Sequence, residues 1–166
     1  MTDTVRGHHH QVRGTLRLAC FVTLAPFVLP PRLISRVEQE HPELRIEIIE
    51  TDMEGTTDLL LSGAVEGGIV YDFGRVHDLA FDPLFPAPPH VVLAANHPLA
   101  ERDEVALTEL TDSELVLLDL PQSREYFLGM LEAAGVVPRV RYSSHSYETV
   151  RSLVARGHGY SILNQV

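Results

Sequence analysis

The chain has 166 residues, 45% of them hydrophobic and 22% charged, which is enough to bury a core in one ordinary domain or two small lobes. It carries 23 acidic and 13 basic side chains, a net charge of −10, and every basic residue is arginine. An acidic chain is poorly matched to nucleic-acid phosphates or to anionic lipid, so the composition argues against direct binding to DNA or to a membrane.

The first 13 residues are polar, lack hydrophobic periodicity and include three consecutive histidines at positions 8–10. Adjacent histidines can bind a metal, although a disordered stub or a tag remnant is the preferred interpretation.

No apolar stretch approaches the ~20 residues that span a bilayer, and no secretory signal is visible, which favours the cytoplasm. A single cysteine, Cys20, excludes an intrachain disulfide, and its apolar neighbours predict a small buried side chain.

The first half of the chain alternates strand and helix signals. Apolar periodicity predicts strands over Leu16–Phe21, Arg45–Thr51 and Gly68–Tyr71, with helices over 24–41 and 56–62 between them. Thr23, directly before the first helix, is a candidate N-cap. A β-α-β-α-β order requires parallel strands with right-handed crossovers, and ligands of such sheets bind at the carboxyl ends of the strands.

The second half repeats this alternation after a connection over 73–89 that is rich in proline and aspartate. Strands are predicted over 91–95, 115–118, 139–143 and 160–163, with helices over 124–134 and 146–156. The turn Gly157-His158-Gly159 is better explained as a helix C-cap with tight packing than as a dinucleotide fingerprint. The predicted organisation is a stub over 1–13, a first lobe over 14–89 and a second lobe over 90–166.

Five short motifs resemble those of the effector-binding domain of LysR-type transcriptional regulators. They occur in the family's order and have α/β segments of suitable length between them. The motifs are Gly14-Thr15-Leu16-Arg17-Leu18, Leu29-Pro30 with Leu33 and His41-Pro42-Glu43-Leu44, Asp58 to Gly63, Asn96-His97-Pro98-Leu99-Ala100, and Val150 to Leu163. Two segments depart from the family pattern: Glu66-Gly67 replaces Leu-Asp before the third strand, and Asn164 replaces a proline.

The resemblance implies an α/β fold of two Rossmann-like lobes, of the periplasmic-binding-protein type II class, that senses a small molecule and forms dimers. The family's winged helix-turn-helix is absent from the chain, so DNA is expected to be bound only through that further domain. The segment that returns to the first lobe is also expected to be missing after residue 166. The resemblance further implies that the effector shifts the arrangement of lobes and dimer, which requires different affinities for the two arrangements.

Strand ends and helix starts supply the candidate effector contacts, with a small carboxylate as one candidate ligand class. The candidates are Thr23, Thr51, Tyr71, Ser123, Arg124 and His145. Thr23 has the alternative role of capping its helix, and Arg124 that of a solvated residue paired to an acid. The resemblance places the dimer interface between the first helix (about Pro30–Glu40) of one chain and a second-lobe helix of the other. Leu33 and Val37 are candidates for it, with intramolecular core as the alternative.

Other function classes have less support in the sequence. No G-x-S-x-G elbow and no metal-ligand spacing is present, so neither catalysis, nor a metal, nor a cofactor is expected. A stand-alone solute-binding protein is the principal alternative, because its fold is similar, but it would be favoured by a secretion signal. A truncated regulator that acts only as a dimerisation partner also remains open.

Overall fold

A computed structural model describes residues 12–72 and 79–164 of the chain. The predicted His8–His10 stub therefore lies outside the described residues. Internal contacts divide the chain into two compact units, Met1–Tyr71 and Asp72–Val166. The first unit thus ends at Tyr71. The lobe boundary that the sequence placed after residue 89 stays a prediction.

The first unit is built on a three-stranded parallel sheet in the order β2-β1-β3. The strands are β1 (Gly14–Phe21), β2 (Leu44–Thr51) and β3 (Gly67–Ile69). The predicted β-α-β-α-β order with parallel strands is therefore confirmed. The second half of β1 is buried while its first half is exposed, so the core of this unit lies toward the carboxyl ends of the strands. This is the edge at which the predicted effector residues follow their strands.

The segment between β1 and β2 is helical, as predicted, but it is not one regular α-helix. It comprises α1 (Ala25–Val28), a π-helical segment (Leu29–Ile34) and α2 (Ser35–Glu40). Pro30 and Pro31 fall inside the π-helical segment, and proline cannot donate the N–H that a regular α-helix requires. The predicted cap was wrong: α1 begins after Leu24 without a side-chain cap, and Thr23 makes a different contact.

The helix α3 (Met53–Leu61) begins three residues before its predicted start. Asp52 is the reason, because its Oδ1 accepts a hydrogen bond from the Gly55 N–H at 2.8 Å and so caps the helix. The helix ends at Leu61, and Gly63 follows its C-cap with a φ of +69°, in the left-handed region that glycine adopts without a Cβ penalty.

The second unit contains parallel and antiparallel strand pairs. Its strands are β4 (Pro89–Val92), β5 (Glu114–Leu118), β6 (Arg139–Ser144) and β7 (Ser161–Asn164). Its helices are a 3-10 turn (Leu107–Leu110), α4 (Pro121–Ala133) and α5 (Tyr147–Ala155). β5 and β6 are parallel, and a parallel bridge from Leu115 to Tyr160 joins β5 to the start of β7. β4 pairs antiparallel with β7, which the sequence patterns did not predict.

The Gly157–Gly159 turn ends α5 as predicted. Gly157 has a φ of +79°, and its N–H and that of His158 donate to the carbonyls of Val154 and Leu153. Tyr160, which follows the turn, belongs to the core cluster that α4 covers. None of the helices in the described part of the chain has the length and apolar content of a membrane-spanning helix.

Candidate functional site

Three predicted effector residues meet at the carboxyl edge of the first unit's sheet. Phe21, the last residue of β1, is paired with Thr51, the last residue of β2. The Val22 N–H then donates to the Thr51 carbonyl at 3.0 Å, which carries the pairing one residue past the strand. Immediately beyond it, the Thr23 hydroxyl donates to the Tyr71 hydroxyl oxygen at 3.3 Å. The first unit therefore brings Thr23, Thr51 and Tyr71 together, which we call the first-unit edge.

Packing holds these side chains in place. Phe21 is fully buried, and its ring meets the Tyr71 ring edge-to-face with centroids 5.3 Å apart and an interplanar angle of 72°. Thr23 is 4% exposed, while Tyr71 and Thr51 are half-buried. Hydroxyl groups both donate and accept hydrogen bonds, so Thr23 and Tyr71 can bind either a carboxylate or a hydroxyl group of a ligand. The sequence patterns did not identify Phe21 as a support for the Tyr71 side chain.

The start of α3, next to Thr51, is already occupied by a protein carboxylate. Asp52 Oδ1 caps the helix at the Gly55 N–H, and the Thr56 hydroxyl donates to the Asp52 carbonyl at 2.8 Å. A Cβ at Gly55 would meet the Thr51 Oγ1, so a larger residue at this position would force the Thr51 side chain to move. Because Asp52 repels a second anion, the hydroxyls of Thr23 and Tyr71 are the better groups for an anionic ligand at this edge.

The second unit has a corresponding edge at the carboxyl ends of β5 and β6, which we call the second-unit edge. The Asp119 N–H donates to the Ser144 carbonyl at 2.9 Å, so the segments that follow the two strands stay together. Ser123, in the first turn of α4, is 3% exposed. His145 is exposed in the bend between β6 and α5. Ser146 caps α5 by accepting a hydrogen bond from the Thr149 N–H at 3.3 Å.

Arg124 forms an ion pair with Asp119, with 2.9 Å between Nη1 and Oδ1. This pairing to an acid is the alternative considered for Arg124 in the sequence, which did not identify Asp119 as the partner. The Arg124 side chain is 53% exposed, and an exposed pair of this kind contributes at most about 1 kcal/mol to stability. A ligand carboxylate can therefore compete with Asp119 for the guanidinium at little cost in folding free energy.

The dimer candidates Leu33 and Val37 are half-buried within the single chain. None of the residues of α2 is buried.

Within residues 12–72 and 79–164, no three histidine, cysteine or acidic side chains are arranged to hold a metal ion.

Cys20 is buried, and this raises the pKa of its thiol from 9.0 to about 11, with a smaller contribution from the charge of Glu50. We expect the thiol to resist a disulfide-exchange reagent at pH 8 in the native protein and to react fully after denaturation.

The unfolded thiol of Cys20 ionises near pH 9 and the folded one near pH 11. Stability should therefore fall as the pH rises across this window, by about 1.4 kcal/mol per unit at most. Cys20→Ser should flatten that part of the pH profile, and an unchanged slope would contradict the assignment.

Comparisons with known proteins agree on one family. The sequence profile described as the LysR substrate binding domain matches residues 9–166. The HTH-type transcriptional regulator CysL of Bacillus subtilis (strain 168) is 25% identical over 162 residues, which are 97% of this chain and 54% of CysL. The chain thus spans about half the length of this curated relative.

Solved structures give the same result. The C-terminal domain of a probable LysR family transcriptional regulator from Rhodococcus sp. RHA1 superposes with a TM-score of 0.85 and 34% identity, covering 92% of this chain and 74% of that one. The BenM effector binding domain with its effector benzoate superposes with a TM-score of 0.72 and 27% identity, covering 90% of this chain and 69% of that one.

Proposed function

The chain belongs to the LysR substrate binding domain family, and from this we propose that it is the effector-sensing part of a cytoplasmic transcriptional regulator. The observation that carries the proposal is the hydroxyl pair of Thr23 and Tyr71, joined at 3.3 Å at the carboxyl edge of a parallel sheet. Ligands of open α/β sheets bind at such edges. The role is regulatory rather than catalytic, and DNA would be bound by another domain of the regulator.

We propose a small carboxylate as the ligand class of the first-unit edge, and of the second-unit edge considered by itself. At the first-unit edge, the hydroxyls of Thr23 and Tyr71 can donate to carboxylate oxygens. At the second-unit edge, the exposed guanidinium of Arg124 can bind a carboxylate in a bidentate manner. Benzoate, the effector of the BenM domain, is a carboxylate of this kind. His145, exposed at the second-unit edge, supplies a further donor or acceptor.

A thermal-shift screen tests this proposal directly. The chain should be heated with aromatic carboxylates, aliphatic carboxylates, amino acids, sugar acids, uncharged sugars and amines in separate wells. A ligand at 100 times its Kd stabilises the native state by about 2.7 kcal/mol, which raises Tm by several degrees. We expect a carboxylate among the compounds that raise Tm. Stabilisation only by uncharged sugars or by amines would contradict the proposed ligand class.

The effector would act by shifting a conformational equilibrium, and it can do so only by binding one conformation more tightly than another. The principal alternative is a stand-alone solute-binding protein. The reading frame upstream separates the two: a winged helix-turn-helix encoded in frame supports the regulator, and a secretion signal supports the solute-binding protein.

We also propose that the chain forms a two-fold dimer through α2 and the adjoining edge strand β2. α2 has no buried residue, and β2 exposes Ile48 and Ile49 on an edge strand of the sheet. An edge strand with exposed apolar side chains is a surface that proteins commonly cover. Leu33, in the π-helical segment before α2, and Val37, in α2, would contribute apolar area to the helical part of this interface.

Replacing Leu33 and Val37 together by glutamate should shift the dimer to monomer, because two charges would be buried in an apolar contact. Sedimentation velocity measures the change. Leu84→Glu is the matched control, since Leu84 is exposed outside this surface and its replacement should leave the dimer intact. A double variant that sediments as the wild type does would contradict the interface.

A further inference from the structure

A cavity of about 460 Å³ lies in the second unit, at the amino ends of its strands. Glu114, which begins β5, and Gly157–Gly159, which precede β7, form part of its lining. The remaining lining comes largely from the turn after β4, which is antiparallel to β7 and so brings its carboxyl end to this edge. The second-unit edge follows the carboxyl ends of β5 and β6. This amino-edge pocket is therefore distinct from the second-unit edge.

The pocket contains a cation without an acidic partner. Most described arginines form ion pairs or hydrogen bonds to the protein, as expected in a chain with a net charge of −10. Arg141, which lines the pocket, has neither a carboxylate nor a carbonyl partner among the described residues, and its guanidinium lies 5.7 Å from the Tyr142 ring centroid. Among the arginines whose side chains the structure describes, Arg45, in the first unit, is the other one without a carboxylate or carbonyl partner.

The two histidines of the lining are oriented by the protein. The Leu99 N–H donates to His97 Nδ1 at 3.2 Å, so in the neutral ring the proton is on Nε2, which becomes a donor. His158 packs edge-to-face on Tyr142 with ring centroids 5.7 Å apart. The Tyr142 ring also lies next to the Arg141 guanidinium. Tyr142 thus holds both groups. Preorganised donors lose less conformational entropy when a ligand binds.

We propose that the amino-edge pocket binds a small oxyanion, either a phosphate or a short carboxylate, with Arg141 as its charge partner. Arginine binds both anions through two parallel N–H bonds. Further donors in the lining are His97, Asn96 and Ser113. Glu114 is the only acidic residue of the lining, and its charge opposes the binding of an anion. The site would allow the domain to respond to a second ligand beside the effector.

Nuclear magnetic resonance titration of the full chain with potassium phosphate tests the proposal, with chloride used to hold ionic strength constant. Saturable amide shifts should concentrate at residues 96, 97 and 157–159. Arg141→Gln should weaken phosphate binding about tenfold or more, the loss expected of a charge-assisted contact. Arg45→Gln, the matched control, should change it less than about twofold. Parallel titrations with acetate and with malonate show whether the site prefers phosphate or a short carboxylate.

A second variant keeps the test decisive if Arg141→Gln perturbs the fold. Glu114→Gln removes the opposing charge and should tighten phosphate binding. The proposal is overturned if no saturable shift occurs, if Arg45→Gln weakens binding as much as Arg141→Gln, or if Glu114→Gln weakens it. The last result would indicate a cation site instead.

Discussion

Gly159→Ala is expected to lower the free energy of unfolding by roughly 3 kcal/mol, measured by urea denaturation. A Cβ at this position would lie 2.2 Å from the backbone oxygen of Glu114, and the residue has a φ of +141°. Backbone cannot move aside as a flexible side chain can. The Tyr160 N–H donates to that same Glu114 oxygen at 2.9 Å, so a shift would disturb one of the two backbone hydrogen bonds that join β5 to the residue before β7.

Gly129→Ala is the matched control, with the opposite expected sign. Gly129 lies inside α4, and a Cβ there would meet no atom within 4 Å. Alanine favours a helix interior over glycine by about 0.5–1 kcal/mol, so this variant should be slightly more stable than the wild type. If the two variants had equal stabilities, the close approach at Gly159 would not constrain the fold.

Phe21→Ala is expected to destabilise the first unit by about 3–5 kcal/mol, because it removes a fully buried aromatic ring and leaves a cavity. It also removes the ring against which Tyr71 packs, so ligand binding at the first-unit edge should weaken even where the variant remains folded. Denaturation gives the first effect, and ligand titration well below Tm gives the second.

Tyr126→Ala is the control for Phe21→Ala, since the Tyr126 side chain is exposed and packs edge-to-face on Phe127 with centroids 5.3 Å apart. Its loss should cost less than about 1.5 kcal/mol and leave ligand binding unchanged. A cost for Phe21→Ala no larger than that of the control would show that the contact with Tyr71 does not hold the edge in place.

The strands and their parallel pairing in the first unit follow from the sequence because hydrophobic periodicity depends only on neighbouring residues. Helix starts were less accurate. Asp52 and Pro121 lie before the apolar residues of α3 and α4, so a pattern based on apolar spacing places both starts three residues late. The π-helical segment at Pro30 and Pro31 was missed for a similar reason, since the apolar spacing around it resembles that of an ordinary helix.

Contacts between distant residues could not be obtained in this way. The Thr23–Tyr71 hydrogen bond joins residues 48 positions apart, and neither local spacing nor capping rules predict it. The antiparallel pairing of β4 with β7 likewise depends on where the chain returns after more than 60 residues. Family motifs directed attention to Thr23 and Tyr71, but the packing of Phe21 that supports them came from the structure.

The measurement that tests the central claim most directly is isothermal titration of the best carboxylate from the screen into three proteins: wild type, Thr23→Ala and Thr15→Ala. Thr15 is exposed in the first half of β1, away from the carboxyl edge, and provides the same chemical change elsewhere. We predict that Thr23→Ala raises Kd about tenfold or more, while Thr15→Ala changes it less than about twofold. An unchanged Kd for Thr23→Ala would contradict an effector site at the first-unit edge.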